Sequence, residues 1–302
     1  MDNPDTQHKK DPLGSYWILF AAAGFTVMNF CIKAATVKFG FSNGELVFWR
    51  MLFSAIALGI PAKMRGETFS TPNWKTHLNR SVIGIAAMLC LFYAVMHLPL
   101  ATGVTLGYTS SIFLAVFSFL YLKERIAPYT QIMLLLGFAG VILLLNPSLG
   151  RGQETAALIG LAGGAMSGWA YLQVRELSLM GEPGWRIVFY LSVTGVIMAA
   201  VWATLSGWHA LTADTLPYLF GIGLSAMIAQ LAMTHAYKVG NKFTVASLSY
   251  LTVVFSALSG AAFLGETLTW QEIAGILIII GTGILSGLTP ARIKAFLTRK
   301  PR

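Results

Sequence analysis

The sequence predicts an all-α integral membrane protein of ten transmembrane helices, arranged as two inverted five-helix repeats with both termini in the cytoplasm. Three observations carry this expectation. The 302 residues are 56% hydrophobic and 11% charged, whereas a soluble domain carries about 25% charged residues. The charges sit in short clusters between long apolar runs and sort to one side of them. Finally, residues 94–124 return without a gap 142 positions later, as residues 236–266.

Taken in order, residues 1–16 are polar and are followed by no short apolar run with a small-residue cleavage site, so they read as a cytoplasmic segment and not as a cleaved signal peptide. Apolar runs of spanning length, about 17–25 residues, then lie near 17–39, 44–62, 80–98, 101–122 and 127–146, which make up the first repeat, 17–146. After a linker at 147–154 come runs near 155–175, 186–205, 215–237, 244–264 and 270–289, which make up the second repeat, 155–289. A basic cytoplasmic tail, 290–302, closes the chain and suits an anionic lipid surface.

The net charge of +9 is explained by sidedness. With ten spans and a cytoplasmic N-terminus, Lys9, Lys10, Lys63, Arg65, Lys75, Arg80, Lys123, Arg125, Arg175, Arg186, Lys238, Lys242 and the tail fall inside, against only Lys38 and Arg151 outside. This is the positive-inside bias, and it sets the orientation. The expected partners are therefore a small-molecule solute and the lipid bilayer of the inner (plasma) membrane, with no nucleic acid, for a monomer or weak homodimer. Cys31 and Cys90 lie in different spans and read as small buried side chains, not as a disulfide.

Eight identities carry the repeat: Ala94, Thr102, Leu106, Tyr108, Phe113, Ala115, Leu122 and Glu124 fall on Ala236, Thr244, Leu248, Tyr250, Phe255, Ala257, Leu264 and Glu266. Weaker matches place Val47-Phe48-Trp49 on Val188-Phe189-Tyr190, and Gly24, Asn29 and Lys33 on Gly164, Trp169 and Gln173. Five spans per copy is an odd number, so the second copy enters the membrane from the opposite side. Inverted repeats place a binding site near the midplane and expose it alternately to the two sides.

With these motifs in view the chain resembles ten-helix members of the drug/metabolite transporter superfamily built from two EamA domains. The resemblance rests on Lys33, FWRMLFSA (48–55), RSVIGIAAM and FYAVMHLPLA in span three, YLKERI closing span four, GFAGVILL in span five, GWAYLQVR in span six and FLGETL closing span nine. Span three is most similar to the subgroup holding S-adenosylmethionine uptake carriers and amino-acid exporters. Members usually carry a proline in spans four and nine; this chain departs from them, with Ser111 and Val253 near those places.

Ionisable groups inside spans are expensive and default to functional candidates. Lys33 and Arg50 both fall in the outer half of the membrane and could flank one cavity, with Asn29 one helical turn before Lys33. Such a cationic wall would hold a carboxylate; the structural alternative has Lys33 snorkelling to the interface and Arg50 tied to Glu45. Tyr108 and Tyr250, with the hydroxyls Thr105 and Ser247 one turn earlier, form a matched pair that would face each other across the repeat axis or else pack. Tyr93, Trp169, Gln173, Gln230 and Thr234 would complete a polar-aromatic lining. Gly160, Gly164 and Gly168 form a helix-packing stripe, and Glu124 and Glu266 read as structural ends or gate contacts.

No Asp or Glu lies deep in any span, which argues against proton exchange for lipophilic cations, since that chemistry needs an embedded carboxylate. His8, His77, His97, His209 and His235 are dispersed, so neither a metal or cofactor site nor a catalytic dyad is expected. The function expected is a secondary transporter of small polar metabolites, amino acids or related zwitterionic or anionic compounds, working by alternating access. The alternatives are an S-adenosylmethionine or drug carrier of the same family and, from another class, a membrane-embedded enzyme or a channel.

Overall fold

The computed structural model describes residues 14–98, 100–124, 126–145, 152–255, 258 and 269–287. Among these residues the fold is all-helical and has no strand. A 3-10 turn at Gly14–Tyr16 leads into α1 (Trp17–Phe39), followed by α2 (Asn43–Met64), α3 (Trp74–His97), α4 (Leu100–Tyr108), α5 (Ser110–Leu122) and α6 (Pro128–Leu145). The second half contributes α7 (Glu154–Leu179), α8 (Gly184–Ser206), α9 (Leu216–Val239), α10 (Lys242–Ser249) and α11 (Trp270–Gly287), with helical backbone also at 251–255.

Six helical stretches among the described residues are long and apolar enough to cross a bilayer: Gly14–Thr36, Asn43–Met64, Trp74–Ala94, Thr105–Leu122, Gly184–Ser206 and Leu216–Val239. Shorter apolar helices cover Pro128–Leu143, Lys242–Phe255 and Ile273–Leu285. α7 has the length of a span, at 26 residues, but is diluted by its glycines and by Gln173, Arg175 and Glu176. A multi-pass membrane protein is the physical consequence, because helices of this hydropathy satisfy their own backbone polar groups in lipid.

Local chemistry sets the helix ends. Gly40, at φ 76°, takes the left-handed position that stops α1, as glycine does without a steric cost. Ser42 and Glu45 then form a reciprocal capping box that starts α2.

One helix start and two interruptions differ from the sequence expectation. α3 starts at Trp74, and Arg80 is consequently not a loop charge: it lies two turns inside the helix at 3% exposure. Hydropathy begins a span after its last polar residue, but His77, Arg80, Ser81 and Gly84 recur at helical spacing and form one inward face of α3. The expected spans 101–122 and 244–264 are each interrupted, the first at Thr109 and the second at Tyr250. At both places an amide reaches three residues back instead of four, Thr109 to Leu106 (3.2 Å) and Tyr250 to Ser247 (3.3 Å).

No proline is needed for these breaks. Thr109 Oγ1 donates to the Leu106 carbonyl at 2.5 Å and Ser249 Oγ to that of Ala246 at 2.7 Å, so hydroxyls compete with the helix ladder. Ser111, near a family proline position, donates its hydroxyl across to the same Ala246 carbonyl at 3.1 Å, tying the two broken helices together.

The helices pair as α1 on α9, α3 on α7, α2 on α8, and α6 on α11. Small residues allow the close approaches. A Cβ on Gly24 would meet Ala229 at 2.9 Å, and one on Gly163 would meet the Ala87 carbonyl at 3.1 Å; Ala87 and Ala229 are themselves 142 positions apart. The largest buried cluster, around Leu114, Leu172, Leu177, Ile187, Tyr237 and Leu248, draws on both halves of the chain.

Candidate functional site

A cavity of about 270 Å³ opens between the halves. α1 brings Phe25, Met28 and Asn29; α2 brings Arg50; α3 brings Arg80, Gly84, Met88, Leu91 and Phe92; and α4 and α5 bring Tyr108 and Ser110. From the second half come Ser167, Ala170 and Tyr171 on α7, Leu191 on α8, Gln230, Met233 and Tyr237 on α9, and Ser249 and Thr252 near the second break. Several residues that stand 142 positions apart in the chain line this one cavity: Met88 and Gln230, Leu91 and Met233, and Ser110 and Thr252.

The electrostatics of the wall are one-sided. Arg50 is 7% exposed, and its Nη1 donates to the Met88 sulfur at 2.9 Å, a weak acceptor. Arg80 lies over Gly84, where a Cβ would sit 2.9 Å from its Nη1, and its Nε and Nη1 have no hydrogen-bond partner among the described residues. Among the described residues no carboxylate lines the cavity.

Of the residues singled out from sequence, Asn29, Arg50, Tyr108 and Gln230 meet at this cavity. Lys33 lies on α1, but its side chain is outside the described residues, as is Glu266. The two repeat tyrosines do come together: the Tyr108 and Tyr250 rings meet edge to face with centroids 6.0 Å apart. Only Tyr108 reaches the cavity, however, because Tyr250 is fully buried behind it against Val141, Val253, Val254 and Ile279.

Other candidates are placed elsewhere. Tyr93 stacks on His97 at 3.9 Å, and the Trp169 ring packs against Phe117 and Tyr121. Gln173, Thr234 and Ser247 are buried outside the cavity wall, and Thr105 is also buried and outside it. The glycine stripe lies against the first break: a Cβ on Gly160 would meet Ala94 and Leu106 at 2.7 Å, on Gly164 the Leu106 carbonyl at 2.6 Å, and on Gly168 the Ser110 carbonyl at 2.8 Å.

Arg80, Tyr171 and Tyr237 escaped the sequence reading. The signal for Arg80 was its helical spacing from His77 and Gly84. Tyr171 stands two residues from both Trp169 and Gln173, which puts it about 200° round the helix from either and so on another face.

Buried charges outside the cavity are paired. Glu182, between α7 and α8, accepts from Thr71, from Asn73 Nδ2 at 3.0 Å and from Arg186 Nη1 at 2.9 Å, with His77 Nε2 at 3.3 Å. Burial raises its pKa, but the bonds from Thr71, Asn73, Arg186 and His77 outweigh that and hold the carboxyl at about 2. Glu45, at the start of α2, accepts from the His209 amide at 2.5 Å and lies 2.6 Å from its Nδ1. Lys242 bridges to Glu124 at 2.7 Å, joining the start of α10 to the end of α5, and Arg175 Nη1 donates to the Tyr237 carbonyl at the end of α9 at 2.9 Å.

Comparison with known proteins adds the following. The sequence profile of the EamA-like transporter family matches residues 12–146 and again 154–287. The pseudopaline exporter CntI of Pseudomonas aeruginosa is 28% identical over 277 residues, covering 89% of this chain and 94% of its own. A riboflavin transporter of Vibrio cholerae is 25% identical over 97% of both chains, and human solute carrier family 35 member G1 is 23% identical over 91% of this chain and 80% of its own. A solved crystal structure superposes with a TM-score of 0.77 at 16% identity, covering 90% of this chain and 98% of that one, which speaks for the fold alone.

Proposed function

The chain belongs to the EamA-like transporter family, and on that footing we propose that it is a secondary transporter moving small polar metabolites across the cell membrane by alternating access. Ten spans form two inverted five-helix repeats, and both termini lie in the cytoplasm. The substrate sits in the central cavity against Asn29, Arg50, Arg80, Tyr108 and Gln230.

The observation that carries this reading is that the cavity is walled by both halves, with residues 142 positions apart, Met88 and Gln230 and also Ser110 and Thr252, in one lining. Helix pairing supports it. Exchanging the halves sends the α1–α9 contact onto the α7–α3 contact and returns α2–α8 and α6–α11 onto themselves. A substrate on such an axis can be handed from one side to the other when the halves exchange conformations.

The ends of the α2–α8 pair supply the gates: the Glu45–His209 clasp at one membrane face and the Glu182 cluster, with Lys242–Glu124, at the other. Transporters and exporters among the relatives fit a carrier better than a membrane enzyme or a channel.

Purified protein in sealed liposomes should accumulate a labelled polar metabolite against its gradient when an ion gradient or an internal exchange solute is supplied. Flux that only ever dissipates a gradient would make it a channel, and no flux of any solute in the panel would remove the carrier reading.

A further inference from the structure

We infer that the solute taken by the central cavity is a dianion carrying two separate acidic groups, one bound by Arg50 and the other by Arg80. This rests on the carrier reading above and narrows its substrate class.

Both guanidiniums are more than nine-tenths buried, and neither has an acidic partner among the described residues. Removing an arginine from water costs several kcal/mol unless an anion replaces its hydration. Elsewhere in this chain buried or half-buried guanidiniums have strong acceptors: Arg186 has the Glu182 carboxylate, though its Nε is unpartnered among the described residues, and Arg175 has backbone carbonyls. At the cavity, among the described residues, Arg50 has the Met88 sulfur, while Nε and Nη1 of Arg80 have no hydrogen-bond partner. Two like charges around one space of about 270 Å³ also repel each other. A ligand with one negative charge relieves half of this; a ligand with two relieves both.

The placement argues for separated charges. Arg50 lies about 10 Å along α2 from Asn43, and Arg80 about 9 Å along α3 from Trp74. Their side chains converge: the Arg80 Nη1 reaches Gly84 and the Arg50 Nη1 reaches Met88, one turn further along α3, so the two guanidiniums stand at successive levels of the cavity wall, each placed to take its own acid. Guanidinium forks bind carboxylates in bidentate fashion. In the same cavity Asn29, Gln230 and Tyr108 offer amide and phenol groups to whatever joins the two acids. The same wall repels cations, which disfavours lipophilic amines and sulfonium compounds.

The test uses full-length protein in detergent, with thermal shift against malonate, succinate, glutarate and citrate, and with alanine and putrescine as mono-acid and cationic controls. We expect a succinate- or glutarate-type dianion to raise the unfolding midpoint, alanine and putrescine to leave it unchanged, and Arg50→Met and Arg80→Met each to abolish the shift. Because the arginines are unpaired, both variants should also be at least as stable as the parent without ligand. An arginine retained for structure would instead lower that midpoint, and that result overturns the proposal. So does a parent protein that no di- or tricarboxylate shifts, that alanine shifts equally, or whose shift survives both substitutions.

Liposomes preloaded with unlabelled succinate separate this inference from the carrier reading. Accumulation of a zwitterion but of no dianion leaves the carrier standing and sinks the dianion. Binding of dianions without any flux does the reverse.

Discussion

Glu182 and Arg80 are buried to nearly the same degree, at 4% and 3% exposure, but in opposite company. The carboxylate is met by a threonine, an asparagine, a histidine and an arginine drawn from the α2–α3 connection, α3 and α8. The guanidinium, with Arg50 beside the same cavity, lies over Gly84 and has no acidic partner among the described residues. The chain thus surrounds its buried carboxylate with donors at the end of the helices and leaves its buried guanidiniums without an acid at the centre, among the described residues. A saturated charge holds two elements in register, whereas an unsaturated one stores an affinity that only an incoming ligand can satisfy. Stability and function should therefore respond with opposite sign at the two places.

The largest expected effect on folding is at Glu182. Replacing it with glutamine keeps some hydrogen bonding to Thr71 and Asn73 but removes the charge facing Arg186 and His77, and should cost about 2 kcal/mol. Thermal unfolding in detergent would read this as a drop of several degrees. The pH dependence follows from the depressed pKa. Glu182 takes its proton at about 2 when folded against 4.5 otherwise, so the unfolded state binds more protons between those values. Its contribution is complete above about pH 4.5 and is lost as the pH falls toward 2, and this slope should be missing in Glu182→Gln. An identical acid profile for parent and variant would mean that the cluster is not what holds this face together.

Next in size, and opposite in sign, is Arg80→Met. Exchanging an unpaired buried charge for an apolar side chain of similar length should stabilise the ligand-free protein by about 1–2 kcal/mol while transport falls by tenfold or more. Loss of stability at Arg80 as large as that at Glu182 would erase the contrast between the two sites.

The contrast was only partly legible in the sequence. Hydropathy located the apolar helices, six of them of spanning length among the described residues, because each backbone must satisfy itself in lipid, and the repeat pointed to the paired tyrosines. Arg50, Asn29, Tyr108 and Gln230 stood out as polar groups in apolar runs. Arg80 did not, because it sits at the polar edge of its span and was counted with the loop charges. Only the face shared by His77, Ser81 and Gly84 tells it from a surface residue. The breaks at Thr109 and Tyr250 were also hidden, since no proline marks either and only the first has a glycine, Gly107, close by. Their signal is the run of hydroxyls Thr109-Ser110-Ser111 and the pair Ser247 and Ser249, which can bond the preceding turn. The pairing of Glu182 with His77, across more than a hundred residues, has no local signature at all.

A smaller effect is expected where the breaks meet. The Ser111 hydroxyl donates to Ala246, a carbonyl that the tightened turn before Tyr250 leaves without its usual amide. Ser111→Ala should cost about 1 kcal/mol. It should also change transport rate more than it changes substrate affinity, since it loosens the joint between the broken helices and not the cavity wall.

The smallest effect should come from the third kind of charge in the molecule, one that is paired but wet. Glu124 is 46% exposed in its bridge to Lys242, whose side chain is 10% exposed. Solvent screens such a pair, so Glu124→Gln should change stability by about 0.5 kcal/mol or less and the difference should fade with added salt. Because the bridge ties the end of α5 to the start of α10, removing it should still favour the state open at that face, which labelling of a cysteine introduced beside Lys242 would read as faster modification. Unchanged labelling would reduce the bridge to a surface contact and leave the Glu182 cluster as the lock on that side.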